Sequence, residues 1–210
     1  MLRAGLTGSI AVGKSFVSSV LAELGCHVLD ADQTAREVVA PGSVGLRAVA
    51  DAFGSETLRP DGTLDRTKLG AIVFSDETKR ERLNAILHPL IIAAQDAWME
   101  RWAAQDARGV GIVDAALMIE TGSYRRFDKL IVVYCRPELQ LERLVKRDGL
   151  TPAEAGRRIA AQMPQEEKKS FADYLIDTSG GFAETREQAV AVYEHLKMLA
   201  AENFTPSPDR

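Results

Sequence analysis

The run LRAGLT, residues 2–7, is short and mostly apolar, and GSIAVGKS follows it at once. Gly8, Gly13, Lys14 and Ser15 satisfy the spacing G-x-x-x-x-G-K-[ST]. Beyond Ser15, the apolar residues Phe16, Val17, Val20, Leu21 and Leu24 recur at helical spacing, and Gly25 stands where that helix would end. A strand, a glycine-rich loop and a helix in this order constrain the chain more than any other feature. The glycines let the backbone turn tightly and present N–H groups to phosphate oxygens. The helix adds the positive end of its dipole. In such a loop Lys14 reaches the β- and γ-phosphates of a nucleotide, and the Ser15 hydroxyl is placed to ligate a Mg²⁺ that bridges them.

The remaining chain alternates apolar strands with helical patterns. CHVLD, VGIVDAAL, KLIVVYCR and YLIDTSG read as four further buried strands. Helical spacing covers 138–148, 152–162 and 185–202. This alternation predicts a three-layer α/β/α fold with a five-stranded parallel sheet. The middle of the chain, to about Gln105, is helix-rich. There Asp32 to Ala40 reads as a helix closing at PGS. SDETKRERLNAIL reads as another, with Ser75 as N-cap and Leu83, Ile86 and Leu87 on one face. Pro89 is expected to interrupt, and LIIAAQDAWMERWAAQ to form a separate helix. Trp98 and Trp102, four apart, read as core packing. The tail, 203–210, is expected to be disordered.

Composition narrows the partners. With 26 Lys and Arg against 30 Asp and Glu, the net charge is -4. A chain gripping a nucleic-acid backbone by bulk charge would be basic, so no nucleic-acid partner is expected. The two cysteines, Cys26 and Cys135, lie in separate apolar segments and read as reduced core thiols. No signal peptide is read at the start, and the run LIIAA is too short to span a bilayer. A cytoplasmic protein without a membrane partner is expected. A dinucleotide fingerprint G-x-G-x-x-G and a guanine-reading N-K-x-D are both absent from the sequence.

The group that receives a phosphoryl is suggested by the second strand, which ends in DAD. Ligand sites in open parallel sheets form at the carboxyl ends of strands, so Asp30 and Asp32 are expected beside the loop. A carboxylate there accepts a proton from an attacking hydroxyl; an Asp after a strand also serves as a helix N-cap, and one of the pair is expected to be structural. Further along, Arg143, Arg147, Arg157, Arg158, Lys168 and Lys169 crowd one helical hairpin. Such cations are either a solvated face or a lid that closes on triphosphate and excludes water.

The ordered set GLTGSIAVGKS, VLDADQTAREVV, LDRTKLGAIVFSD, LNAILHP, DAALMIE, RPELQLERLVKRDGLTPAEAGRRIAAQMP and ADYLIDTSG resembles the dephospho-CoA kinase family over nearly the whole chain. The resemblance implies transfer of the ATP γ-phosphoryl group to the 3′-hydroxyl of dephospho-CoA, the last step of coenzyme A synthesis, with ATP and Mg²⁺. It implies a P-loop kinase core over 1–31, 107–138 and 167–202, a helical CoA-binding part over 32–106 and a lid over 139–166, in a monomer or weak homo-oligomer. By position, Asp32 is the catalytic base, and Lys14 and Arg143 stabilise charge on the moving group. Gly8, Ala11, Val12, Gly13, Lys14, Ser15, Phe16, Arg147 and Thr178 hold the nucleotide. Arg36 and His88, with Asp32, lie on the acceptor side; His88 is equally well read as structural.

Several residues depart from the family's pattern. Ala11 and Val12 stand where a glycine and a small residue are usual, and alanine is awkward if its φ is positive. Phe16 replaces a small hydroxylated residue, Ala116 a proline, and Thr178 an asparagine near the adenine. Two other readings therefore stand beside the first: a P-loop kinase for a nucleoside monophosphate or another small hydroxyl acceptor, and a non-catalytic nucleotide sensor.

Overall fold

The computed structural model describes residues 1–74 and 76–202. The N-cap assigned to Ser75 and the disorder expected of the tail lie outside these residues. Five strands form one sheet in the order β2-β3-β1-β4-β5: β1 (Leu2–Gly8), β2 (His27–Asp30), β3 (Val110–Asp114), β4 (Lys129–Tyr134) and β5 (Tyr174–Asp177). The central strand β1 pairs in parallel with β3, Leu6 opposite Asp114, and with β4, Gly8 opposite Val133. β5 extends the sheet in parallel from β4.

Two compact units divide the chain. One comprises Met1–Leu29 and the described part of Met99–Arg210; the other is Asp30–Trp98. In the first, alternate strand residues go to opposite faces, as the two-residue period requires. Leu6, Ile112, Ile131 and Ile176 pack against α1 (Lys14–Glu23) and α9 (Phe182–Glu202). Val17, Val20 and Leu21 meet Ala189, Val192 and Leu196 there, each of the larger side chains contributing about 1.5–3 kcal/mol by burial. On the other face Met118 covers Gly5 and Met99 covers Gly111, so closely that a Cβ at either glycine would lie within 3 Å of the sulfur. Helices on both faces of a parallel sheet make the three expected layers.

α1 ends in a Schellman motif. Gly25 N–H bonds the Ala22 carbonyl and Cys26 N–H the Leu21 carbonyl, both at 3.0 Å, with Gly25 at φ 107°. The segment after β4 holds α6 (Pro137–Asp148), α7 (Pro152–Ala160) and α8 (Gln165–Lys169). Gly149 closes α6 in the left-handed region, and Thr151 with Glu154 forms a full capping box on α7. α6 and α7 therefore make a sharply turned hairpin with both facing ends satisfied.

The second unit is helical: α2 (Ala31–Glu37), α3 (Val44–Phe53), α4 (Arg66–Phe74) and the first part of α5 (Glu77–Gln105). Val39, Leu46, Val49, Leu64 and Leu69 form its core, with Leu83, Ile86 and Leu87 packed on them. α5 corrects one expectation. Pro89 lies inside a single helix of 29 residues and does not divide it. Proline removes only the bond to the carbonyl four residues back, Ala85, and costs about 3 kcal/mol or more. Apolar anchorage on both sides, Leu83 to Leu87 before it and Met99 after it, offsets that cost. Trp102 stacks on His27 at 3.9 Å between centroids, while His27 Nε2 lies 3.1 Å from Asp106 Oδ2. No helix among the described residues is long and apolar enough to cross a membrane.

Candidate active site

The loop at the carboxyl end of β1 has the form its sequence requires. A Cβ at Gly8 would sit 2.5 Å from the Val133 carbonyl oxygen, so only glycine fits the approach to β4. Gly13, at φ 88°, is the N-cap of α1 and packs on Thr178, which a Cβ would meet at 3.2 Å. Ala11 has φ 60°, the one non-glycine residue at positive φ among the described residues. The left-handed region costs an L-residue about 1–2 kcal/mol, so the strain raised by the sequence is present. Lys14 Nζ is ion-paired with Asp114 Oδ1 at the end of β3, and the pair is mostly buried. Ser15 is exposed on the first turn of α1.

Thr178, just past β5, ties three segments together. Its Oγ1 donates to the Val12 carbonyl at 2.7 Å and accepts from Arg143 Nη1 at 2.8 Å. Arg143 Nη2 donates to the Thr178 carbonyl, also at 2.8 Å. A cleft of about 170 Å³ opens beside them, lined by Gly13, Phe16, Arg143, Thr178, Phe182 and Thr185. Phe16 and Phe182 meet edge to face with centroids 4.8 Å apart, and Phe182 is 75% exposed. An aromatic wall beside a loop of phosphate-binding form suits a flat heterocycle. The sequence marks Phe182 only as an aromatic directly after Gly180 and Gly181 and carries no sign of Thr185 as a cleft residue. The thiol of Cys135 is pushed up by burial, only partly countered by the Arg143 charge.

Two aspartates after β2 divide their work. Asp30 caps α2: its Oδ1 accepts the N–H of Asp32 at 2.7 Å and of Gln33 at 3.1 Å. Asp32, the next residue but one, is exposed, and among the described residues nothing pairs with its carboxylate. Arg36 is exposed one turn further along α2, and His88 is exposed on α5. These three residues belong to the helical unit, whereas Lys14, Ser15, Arg143 and Thr178 belong to the sheet unit.

The cations expected on one hairpin fall on three helices, α6, α7 and α8, and separate by environment. Arg147 grips the neighbouring Asp148 with two bonds, 2.7 and 3.2 Å, and Arg158 adds a third at 3.0 Å. The Arg147 hydrogen bonds, joined by the charges of both arginines, hold the Asp148 carboxyl below the usual carboxylate range. Lys169 pairs with Glu166. Lys168 departs from the expectation of a solvated face, being 0% exposed. Its Nζ donates to the Ala116 carbonyl at 2.9 Å and pairs with Glu120 at 2.8 Å. Thr7 Oγ1 donates to the same Ala116 carbonyl. Lys168 thus fastens the segment that follows Asp114. Nothing in its local sequence distinguishes it from Lys169.

A family model described as dephospho-CoA kinase matches residues 2–184. The dephospho-CoA kinase of Geobacter metallireducens is 47% identical over 194 residues, covering 92% of this chain and 96% of that protein. Among solved structures, TT1252 from Thermus thermophilus superposes with a TM-score of 0.76 at 30% identity, covering 97% of this chain and 98% of that one. The dephospho-CoA kinase from Campylobacter jejuni does so with a TM-score of 0.62 at 27% identity, covering 92% and 96%. The loop, its lysine and the strand order are thus accompanied by likeness along almost the entire length, and the chain belongs to the dephospho-CoA kinase family.

Proposed function

We propose that the chain transfers the γ-phosphoryl group of ATP to the ribose 3′-hydroxyl of dephospho-CoA, giving coenzyme A and ADP, with Asp32, Lys14 and Arg143 as its catalytic residues. The observation that carries this reading is the phosphate cradle at the end of β1, with Lys14 held on Asp114, in a chain of this family. In ATP binding, Lys14 exchanges Asp114 for β- and γ-phosphate oxygens. Backbone N–H groups of the loop and the first turn of α1 take the remaining charge. Gly8, Ala11, Val12, Gly13, Lys14, Ser15 and Phe16 form the nucleotide side with Thr178, and Arg147 approaches from the lid.

Mg²⁺ suits the oxygen donors present, the exposed Ser15 hydroxyl and the Asp114 carboxylate. Among the described residues no group of three or more His, Cys, Asp or Glu side chains could hold a metal alone. Ser15 would hold the ion. A bound Mg²⁺ neutralises charge on the β- and γ-oxygens.

Asp32 orients the 3′-hydroxyl and takes its proton as the oxygen attacks phosphorus. Its carboxylate is available for this because Asp30 does the capping. Arg143 stabilises charge on the transferring group as it loses its bond to ADP, and to do so its guanidinium releases the two bonds that hold it on Thr178. Arg36 and His88 bind the acceptor. On this reading, 32–106 is the CoA-binding part, 139–166 the lid, and 1–31, 107–138 and 167–202 the nucleotide core. The protein acts in the cytoplasm as a monomer or weak homo-oligomer, and two buried, unpaired thiols support a reducing compartment.

Asp32→Asn tests the assignment. It should leave ATP affinity nearly unchanged and lower kcat by about 10²–10⁴, the range for loss of a general base. A drop smaller than about threefold removes Asp32 from the chemistry. In a substrate panel, turnover of a nucleoside monophosphate without turnover of dephospho-CoA would replace the acceptor.

A further inference from the structure

One residue of the phosphate loop is held from both sides by glutamines at opposite ends of segment 139–166. The N–H of Ile10 donates to Gln162 Oε1 at 2.7 Å. The carbonyl of Ile10 accepts from Gln140 Nε2 at 2.8 Å. Gln140 lies on α6 and is 2% exposed. Its own Oε1 accepts from Gln165 Nε2 at 2.8 Å, and Gln165 Oε1 accepts the N–H of Cys135 at 3.0 Å. A continuous chain of hydrogen bonds therefore runs from the end of β4, through α8 and α6, into the loop.

These two bonds fix the planes of the peptide units on either side of Ile10, and the second unit ends at the nitrogen of Ala11. Ala11 is the residue at φ 60°. A strained backbone persists only where its surroundings over-determine it. Glycine would adopt this φ without help; alanine does not. We infer that Gln140 and Gln162 are positioning residues for phosphoryl transfer, clamping both peptide units that flank Ile10 so that the loop keeps its phosphate-binding shape despite Ala11. Gln140, itself buried, is tied through Gln165 to the buried Cys135, and the two glutamines form the fixed side of the clasp. Gln162 follows α7 directly and is the side that links the hairpin to the loop. The effect on ATP rests on the function proposed above; the effect on the unliganded loop does not.

The test is a double-mutant cycle on the full chain with Ala11→Gly, Gln162→Ala and the pair, read by ligand-free Tm and by kcat and KM for ATP and dephospho-CoA. Gln162→Ala should lower Tm and raise the ATP KM about five- to tenfold, the size of one lost hydrogen bond. The dephospho-CoA KM should move less than twofold. In the Ala11→Gly background the same change should raise the ATP KM less than about twofold, because the loop no longer needs the clamp. Gln162→Glu keeps the acceptor oxygen and should return the ligand-free Tm to that of the unaltered protein. Equal losses in both backgrounds would make Gln162 an ordinary packing contact and overturn the inference, as would an unchanged ATP KM in Gln162→Ala. An unaltered protein that neither binds ATP nor converts dephospho-CoA would sink the proposed function, while the Tm cycle would still read the clamp.

Discussion

Asp30 and Asp32 show how little separates a capping carboxylate from a free one. Both are exposed carboxylates at one strand end, yet Asp30 turns back on two backbone N–H groups and Asp32 is left unpaired. Replacing a cap costs about 0.5–2 kcal/mol of stability; replacing a general base costs rate. Arg143 is a comparable case. Its two bonds to Thr178 hold the guanidinium at the wall of the cleft beside the loop. Arg143→Ala should lower kcat more than it raises the ATP Kd, as steady-state kinetics with calorimetry would record. Thr178→Val, which keeps the shape and removes both hydroxyl bonds, should reproduce part of that loss. A larger change in Kd than in kcat would make Arg143 a binding residue only. The cations of α8 teach the same lesson. Lys168 and Lys169 are neighbours of one type, and only tertiary contact buries the first against Ala116 and Glu120.

At the scale of elements, local patterns predicted type well and interruption poorly. The strand, loop and helix at the start were readable because glycine spacing and apolar period act over a few residues. The Schellman close of α1 and the capping box of α7 are equally local. Pro89 was misread because proline's penalty is local while the compensation is not. Pro89→Ala restores the donor to the Ala85 carbonyl, so it should raise stability by about 1–3 kcal/mol in urea unfolding. The ATP KM should stay level, and the dephospho-CoA KM should rise if Pro89 shapes the acceptor side. Lower stability would mean that the surroundings require proline's shape.

Over the whole molecule, the strand order places β1 in the centre, so the loop at its end has β3 and β4 as neighbours. Asp114 from β3 and Thr178 from beyond β5 thereby reach the loop from positions about 100 and 164 residues from Lys14 along the sequence. The same burial sets an alkaline limit. The Cys26 thiol is pushed from its ordinary 9.0 to about 12, by burial first, with Lys197 acting weakly against it. Its folded value is raised, so its contribution is complete below pH 9 and is lost as pH rises toward 12, where the unfolded chain releases the proton first. Urea midpoints should therefore fall across pH 9–11, and Cys26→Ala should flatten that slope. A variant with an unchanged slope would exclude the thiol as its source.

By itself, the sequence determined the phosphate loop, the alternation that makes a five-stranded parallel sheet, the helical middle and the identity of Lys14, Ser15, Asp32 and Arg143 as candidates. It also raised the strain at Ala11, because backbone sterics belong to single residues. Only the tertiary structure decided that Asp30 caps while Asp32 stays free, that Lys168 is buried, that Phe182 walls the cleft and that two glutamines hold Ile10. Those outcomes depend on which strand ends lie side by side. Strand order follows from packing a whole sheet between its helices, and no span of a few residues encodes it.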